Sequence, residues 1–365
     1  MPSNKLRYLF IVQGEGRGHM TQAITLFELL TEAGHEVVQV FIGSSSRRKI
    51  PDYFYKRIKA PIETLQSPNF VTDSKKKSVR LIRSIGYNAL LLGRYIKSLR
   101  LIDKKVKELK PDVIINFYDF LGGYYSMFFR PKAKYVVIGH QFLSNHPNFP
   151  FASGMPIDKF LYKTYNRLNA AMAVKHLALS FGEYHPGKIG KTVVTPPLLR
   201  KDVHSLRAET GDYLLGYMVN DGYAEEIMSW HEKHQEEKLH VFWDRKLAPK
   251  HYEYHHNLVF HRLDDKKYLE YMRGCKGLIT TAGFESTCEA LYLQKPVLMI
   301  PVSGQYEQAC NALDARIAKA GISDHYFNIS RFLQYLPQHV GDYEAYHAWL
   351  RKADDIFLHE LTHFD

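Results

Sequence analysis

His19 ends the run Gly14-Glu15-Gly16-Arg17-Gly18-His19, which follows an apolar stretch at 8–12 and precedes a segment of helical spacing. An imidazole at the mouth of a strand can take a proton near neutral pH, which is the work of a general base. A histidine that caps or packs at a helix start is the competing use. Gly14, Gly16 and Gly18 make a turn of low bulk, so a ligand can approach the backbone with a helix N-terminus behind it. Asp119, two residues beyond a strand-like run at 112–117, could orient the imidazole in the manner of a carboxylate-held base. It could equally cap the helix that follows.

A second set of polar residues lies in 277–322. There a strand ends at Thr280-Thr281, a turn carries Gly283, and a helix opens at Glu285-Ser286-Thr287. The first amides of such a helix, with the two hydroxyls, suit a diphosphate, and Glu289 lies one turn further, within reach of a ribose. Glu307 and Gln308 open another helix on the same rim and offer acceptors and donors for sugar hydroxyls.

The elements that must position these groups alternate. Strand-like runs at 8–13, 36–42, 112–117, 135–139 and 177–181 are separated by helical spacing at 20–33, 78–109, 121–129 and 157–174. Residues 192–212 carry two prolines and no periodicity and read as a linker. A second series follows, with strands at 213–219, 239–243, 258–260, 277–281 and 296–300 and helices at 224–234, 266–273, 285–293 and 307–320. Strand–helix alternation predicts an α/β protein of parallel sheets, and 365 residues exceed a single core. The expected division is 1–198, 212–330 and a C-terminal helical segment, 331–365, packing back on the first domain. Ligands of such sheets sit outside the carboxyl ends of the strands, so the two domains should face a cleft.

The composition, 45% hydrophobic and 24% charged, is that of a folded chain. The apolar stretch at 8–12 is too short for a signal-peptide core and no window approaches a membrane span of about 18 apolar residues, so a cytoplasmic location is expected. Three cysteines without a CxxC pair imply neither a disulfide framework nor a zinc knuckle. The histidine-rich stretches 231–234 and 251–256 lack metal-ligand spacing, and no metal site is expected. A formal net charge of +11 attracts an anionic partner. Nucleic acid fits poorly, because no recognition motif accompanies the charge. Between Lys75 and Lys110 twelve Lys/Arg face only Asp103 and Glu108, which makes either a solvated helix face or an amphipathic surface that meets anionic lipid at the inner face of the membrane. The glycine turn departs from the dinucleotide fingerprint at its sixth place, His19. After the second strand Ser44, Ser45, Ser46, Arg47 and Arg48 stand in place of an acidic residue, which leaves NADP as a weaker alternative.

Residues 277–322 resemble the donor-sugar-nucleotide region of GT-B glycosyltransferases, and the turn at 14–19 resembles that of glycosyltransferase family 28, which includes the N-acetylglucosaminyltransferase of lipid-linked peptidoglycan precursor. The resemblance implies the GT-B fold of two Rossmann-like domains, with a UDP-sugar co-substrate on the second, an acceptor on the first and no further cofactor. It implies that Glu289 binds ribose, Glu307 and Gln308 the donor sugar, and Gly283, Ser286 and Thr287 the diphosphate, with His19 as base or cleft-lining group. Thr281 stands where plant-type members place a histidine, and Glu307 where the peptidoglycan enzyme has glutamine, so neither the donor sugar nor peptidoglycan synthesis carries over. The absence of a D-x-D triplet points to a metal-independent reaction, and an inverting transfer would take its base from His19. The acceptor is open, a lipid-linked one included. The alternatives are a UDP-sugar 2-epimerase, which would turn over donor with no acceptor, and a non-catalytic nucleotide-sugar-binding subunit.

Overall fold

The computed structural model describes residues 5–44, 50–68, 88, 90–218, 223–245 and 248–364. Ser45, Ser46, Arg47 and Arg48, with residues 75–87 and 89 of the basic stretch, lie outside the described residues.

The first sheet contains β1 (Arg7–Gln13), β2 (Glu36–Ser44), β3 (Ile62–Gln66), β4 (Val113–Phe117), β5 (Lys134–Ile138), β6 (Lys175–Leu179), β7 (Lys188–Ile189) and β8 (Thr192–Thr195). Their order is β3-β2-β1-β4-β5-β6-β8-β7, and only the β7–β8 pairing is antiparallel. The second sheet contains β9 (Tyr213–Met218), β10 (Lys238–Trp243), β11 (His251–His255), β12 (Leu258–Arg262), β13 (Gly277–Thr280), β14 (Val297–Met299) and β15 (Gly321–Ser323), in the order β11-β12-β10-β9-β13-β14-β15. There only β11 runs against its neighbour. The central strands are near-continuous apolar runs because helices cover both faces: all five residues of β4 and all four of β13 are buried. In each sheet the order reverses beside the first strand, at β1/β4 and at β9/β13, and a crevice opens at such a switch point.

One apolar cluster joins the two layers. It runs from Phe10 and Val12 of β1 through Phe27 and Leu30 of the Arg17–Glu32 helix to Leu215, Leu278 and Met299 of the second sheet. The last helices, Tyr343–Leu350 and Ala353–Thr362, add Leu350, Phe357 and Leu361 to the same cluster. They lie against the first domain: Tyr8 Oη donates to the Leu361 carbonyl at 2.8 Å, Trp349 Nε1 to Ser180 O at 3.2 Å, and Lys175 pairs with Glu360 at 2.6 Å.

Three regions depart from the sequence reading. The segment 192–212 is not a plain linker, because Thr192–Thr195 forms buried β8 and Lys201–His204 a short helix. Its β-branched Thr-Val-Val-Thr run precedes the two prolines, which end the strand instead of interrupting it. Likewise β3 forms between Pro61 and Pro68 in a stretch that reads as irregular, and His251–His255 is an edge strand.

Candidate active site

The turn after β1 is shaped by close approach. Gly14 N donates to Gly43 O at 2.7 Å, and a Cβ on Gly14 would lie 2.6 Å from Ile42. A Cβ on Gly18 would lie 2.9 Å from the side chain of Glu285, which reaches over from the second domain. Gly16 is the extended N-cap of the Arg17–Glu32 helix and has open space around it.

His19 sits in the first turn of that helix. Its Nδ1 lies 3.1 Å from Gln22 Oε1, its Nε2 lies 3.5 Å from Gln141 Nε2, and its ring stacks on Tyr118 at 5.7 Å. Gln22 reaches it because residues three apart share a helix face. Burial pushes the imidazole down to about 4, against the smaller opposing effect of the Gln22 hydrogen bond, so the ring is neutral at physiological pH.

Both glutamines are gripped from the second domain. Gln22 Nε2 donates to Glu285 Oε1 at 2.6 Å, and Gln141 Nε2 donates to Glu307 Oε1 at 2.9 Å. The two glutamates stand in the first turns of the Phe284–Tyr292 and Tyr306–Ile317 helices. Burial raises Glu285 to about 8 and Glu307 to about 7, and the hydrogen bonds from the glutamines oppose that rise.

Asp119 is not the group that orients His19. It is the N-cap of the Phe120–Phe129 helix, and its Oδ1 accepts from Leu121 N at 2.8 Å and from Ser67 Oγ at 3.0 Å. The first amides of that helix need an acceptor, and Asp119 is the residue placed to supply it. Burial raises its carboxyl to about 7. The position of orienting group at His19 Nδ1 belongs to Gln22.

On the facing rim, Gly283 is the N-cap of the Phe284–Tyr292 helix, and no side chain caps that end. Thr287 is buried and its Oγ1 donates to Gly283 O at 3.0 Å, so its hydroxyl proton is committed to the backbone. Ser286 is partly exposed beside the Tyr268 hydroxyl. Glu289 is 3% exposed, and its Oε1 accepts from Arg200 Nε at 2.7 Å. Burial raises the Glu289 carboxyl and Arg200 works against it. Gln308 Oε1 accepts from Val302 N at 2.8 Å, which fixes the loop after β14. Arg17 of the glycine turn pairs with Asp265 of the second domain at 2.8 Å.

The structure thus brings His19, Glu285, Ser286 and Glu307 to one interdomain cleft. The sequence reading missed Gln22, Gln141, Arg200 and the part played by Glu285. Gln22 had a signal in its spacing from His19, and Arg200 lay in a segment read as a linker. Gln141 follows β5 with nothing local to mark it. Among the described residues no group of three or more His, Cys, Asp or Glu could hold a metal ion, and no helix is long and apolar enough to cross a membrane.

Several solved structures of like fold are glycosyltransferases. One is the Arabidopsis thaliana enzyme UGT89C1 complexed with UDP-L-rhamnose, with a TM-score of 0.64, 13% identity and 99% of each chain covered. Another is the glycotransferase of kitacinnamycin, with a TM-score of 0.63 and 12% identity over 98% of this chain and 96% of that one. MurG of Acinetobacter baumannii has a TM-score of 0.57 and 14% identity over 98% and 99%. At these identities the likeness shows the GT-B fold, as the sequence resemblance implied. No curated protein matches the chain in sequence. The family model described as glycosyl transferase family 1 matches residues 6–337, nearly the whole described chain. The chain therefore belongs to glycosyl transferase family 1 and is a glycosyltransferase enzyme of GT-B fold.

Proposed function

We propose that the enzyme moves a hexosyl group from a UDP-sugar to an acceptor hydroxyl, with inversion and without a metal ion, and that His19 is the base. The acceptor oxygen attacks the anomeric carbon, the bond from that carbon to the diphosphate oxygen breaks, and its electron pair leaves with UDP. The acceptor proton passes to His19 Nε2. The observation that carries this reading is the geometry of His19, a ring at the cleft with Nδ1 on the Gln22 oxygen and Nε2 facing the Gln141 amide.

The departing diphosphate gains negative charge, and the uncapped N-terminus of the Phe284–Tyr292 helix, with Gly283 and Ser286, answers it. Thr287 supports that turn from behind through its bond to Gly283. Glu289, held by Arg200, accepts from the ribose hydroxyls, and Glu307 with Gln308 faces the donor sugar. SsfS6 of Streptomyces sp. SF2575, another structure of like fold, is complexed with thymidine diphosphate, so a nucleoside diphosphate is the class of ligand to test.

The acceptor side favours an apolar, membrane-presented acceptor. Leu92, Phe128, Ile157 and Phe160 are exposed on helices packed side by side on the first domain, and Arg94, Lys97, Arg100, Lys159 and Lys163 share those helices.

Titration calorimetry of UDP in chelator tests the donor site. Binding to the wild type that collapses in Glu289→Ala supports the reading. No binding to the wild type contradicts it.

A further inference from the structure

Both ring nitrogens of His19 meet a glutamine, and each glutamine is held by a glutamate of the opposite domain. The directions of these bonds are not free. A carboxylate oxygen only accepts, whereas a primary amide presents its oxygen on one side and its NH2 on the other. Glu285 Oε1, 2.6 Å from Gln22 Nε2, therefore turns the Gln22 oxygen toward His19 Nδ1. An oxygen there requires the ring proton on Nδ1, so Nε2 keeps its lone pair. On the other side Glu307 draws the NH2 of Gln141, the group that faces Nε2, and two donors would repel. Both anchors select the same tautomer. Glu285 Oε2 is buried with no hydrogen-bond partner among the described residues, so while Oε1 accepts the Gln22 amide a proton taken up by this carboxyl sits on Oε2. Gly18 completes the arrangement, since any side chain at that position would meet the Glu285 Cγ at 2.9 Å and hold the carboxyl away from Gln22.

We infer that Glu285 is a positioning residue which, through Gln22, fixes His19 as the Nδ1–H tautomer, so that the base is competent only while the two domains are apposed. The inference rests on the reading of His19 as base. It gives domain closure a chemical consequence: with the second domain withdrawn, nothing compels the orientation of the Gln22 amide, and the ring is free to carry its proton on the nitrogen that must accept one.

The test is long-range proton–nitrogen NMR of the full chain labelled with 15N-histidine, the His19 signals being identified by their loss in His19→Asn. In the wild type Nδ1 should have the shift of a protonated nitrogen and Nε2 that of a bare one. In Glu285→Gln, whose own amide can hold Gln22 either way, both shifts should move toward intermediate values. The rate of UDP-glucose hydrolysis should fall roughly tenfold or more in kcat with KM unchanged. The exchanged pair, Gln22→Glu with Glu285→Gln, keeps an acceptor at Nδ1 and should restore the Nδ1–H pattern. Gln22→Leu removes the relay by a second route, and the remaining histidine signals report whether each variant is folded. Wild-type ring shifts in folded Glu285→Gln and Gln22→Leu would overturn the inference. Shifts that move while His19→Ala retains full hydrolysis would uphold the relay and remove the base.

Discussion

The turn after β1 and the turn after β13 each border the switch point of their own sheet, yet they hold opposite chemistry. The first presents a neutral histidine backed by amides and tyrosines, with Tyr118 stacked on the ring and Asn116 donating to the Tyr135 hydroxyl at 2.8 Å. The second presents Glu285 and Glu289, and the helix after β14 adds Glu307; Glu289 pairs with the Arg200 guanidinium, whereas Glu285 and Glu307 accept from glutamine amides. Topology brings both turns to the cleft, and the side chains then divide the work. In the proposed function, one side takes a proton and the other grips a nucleotide and holds the base in register.

The sharpest way to break this division is to remove the base. His19→Ala should lower turnover by about 10²- to 10⁴-fold while leaving UDP affinity unchanged, read by hydrolysis rates beside calorimetry. An equal loss of UDP binding would place His19 on the donor side and erase the contrast.

The next test separates the two glutamates of one helix. Arg200→Ala leaves Glu289 buried and without its cation, and should cost about 3–5 kcal/mol of stability in urea unfolding. Replacing both partners, Arg200→Met with Glu289→Gln, should recover most of that loss. Glu285, whose partner is an amide, should lose far less on Glu285→Gln.

The glycine turn offers a finer comparison within six residues. Gly18→Ala places a methyl against Glu285 and should cost about 1–3 kcal/mol. Gly16→Ala, in open space with an extended backbone, should stay within about 1 kcal/mol. Equal effects would mean that the cross-domain contact at Gly18 does not hold in solution.

The smallest effect is on pH. Glu285 is raised to about 8 and Glu307 to about 7 by burial, so the folded state holds protons that the unfolded chain has released above its ordinary carboxyl range. Stability should therefore fall as pH rises from about 6.5 to 8, and Glu285→Gln should flatten the decline by on the order of 1 kcal/mol. His19, lowered to about 4, acts with the opposite sign below 6.5: the unfolded chain takes up the proton first, and stability falls as pH drops. Urea unfolding at pH 6.5 and 8 reads the first effect without the second.

The sequence disclosed the parts of the fold that depend on local pattern. β1, β4 and β13 are apolar runs buried on both faces, and their lengths and spacing announce them. β3 and β8 were hidden by flanking prolines that bound a strand as readily as they break one. His19, Ser286, Glu289 and Glu307 were legible because glycine turns and helix starts mark where a strand delivers a side chain. The partners were not. Gln22 depends on Glu285 across 263 positions, and Gln141 on Glu307 across 166, so only the apposition of two sheets reveals either bond. Asp119 shows the converse, a residue placed correctly at the end of β4 whose carboxyl turns to its own helix and to Ser67.

The most direct test of the central claim follows the anomer released when UDP-α-glucose is hydrolysed in chelator, water standing in for the acceptor, by proton NMR on the wild type and on His19→Ala. The account predicts that β-glucose appears first with the wild type and that its formation nearly ceases in the variant. α-Glucose appearing first, or a His19→Ala enzyme that releases β-glucose at the wild-type rate, would contradict it.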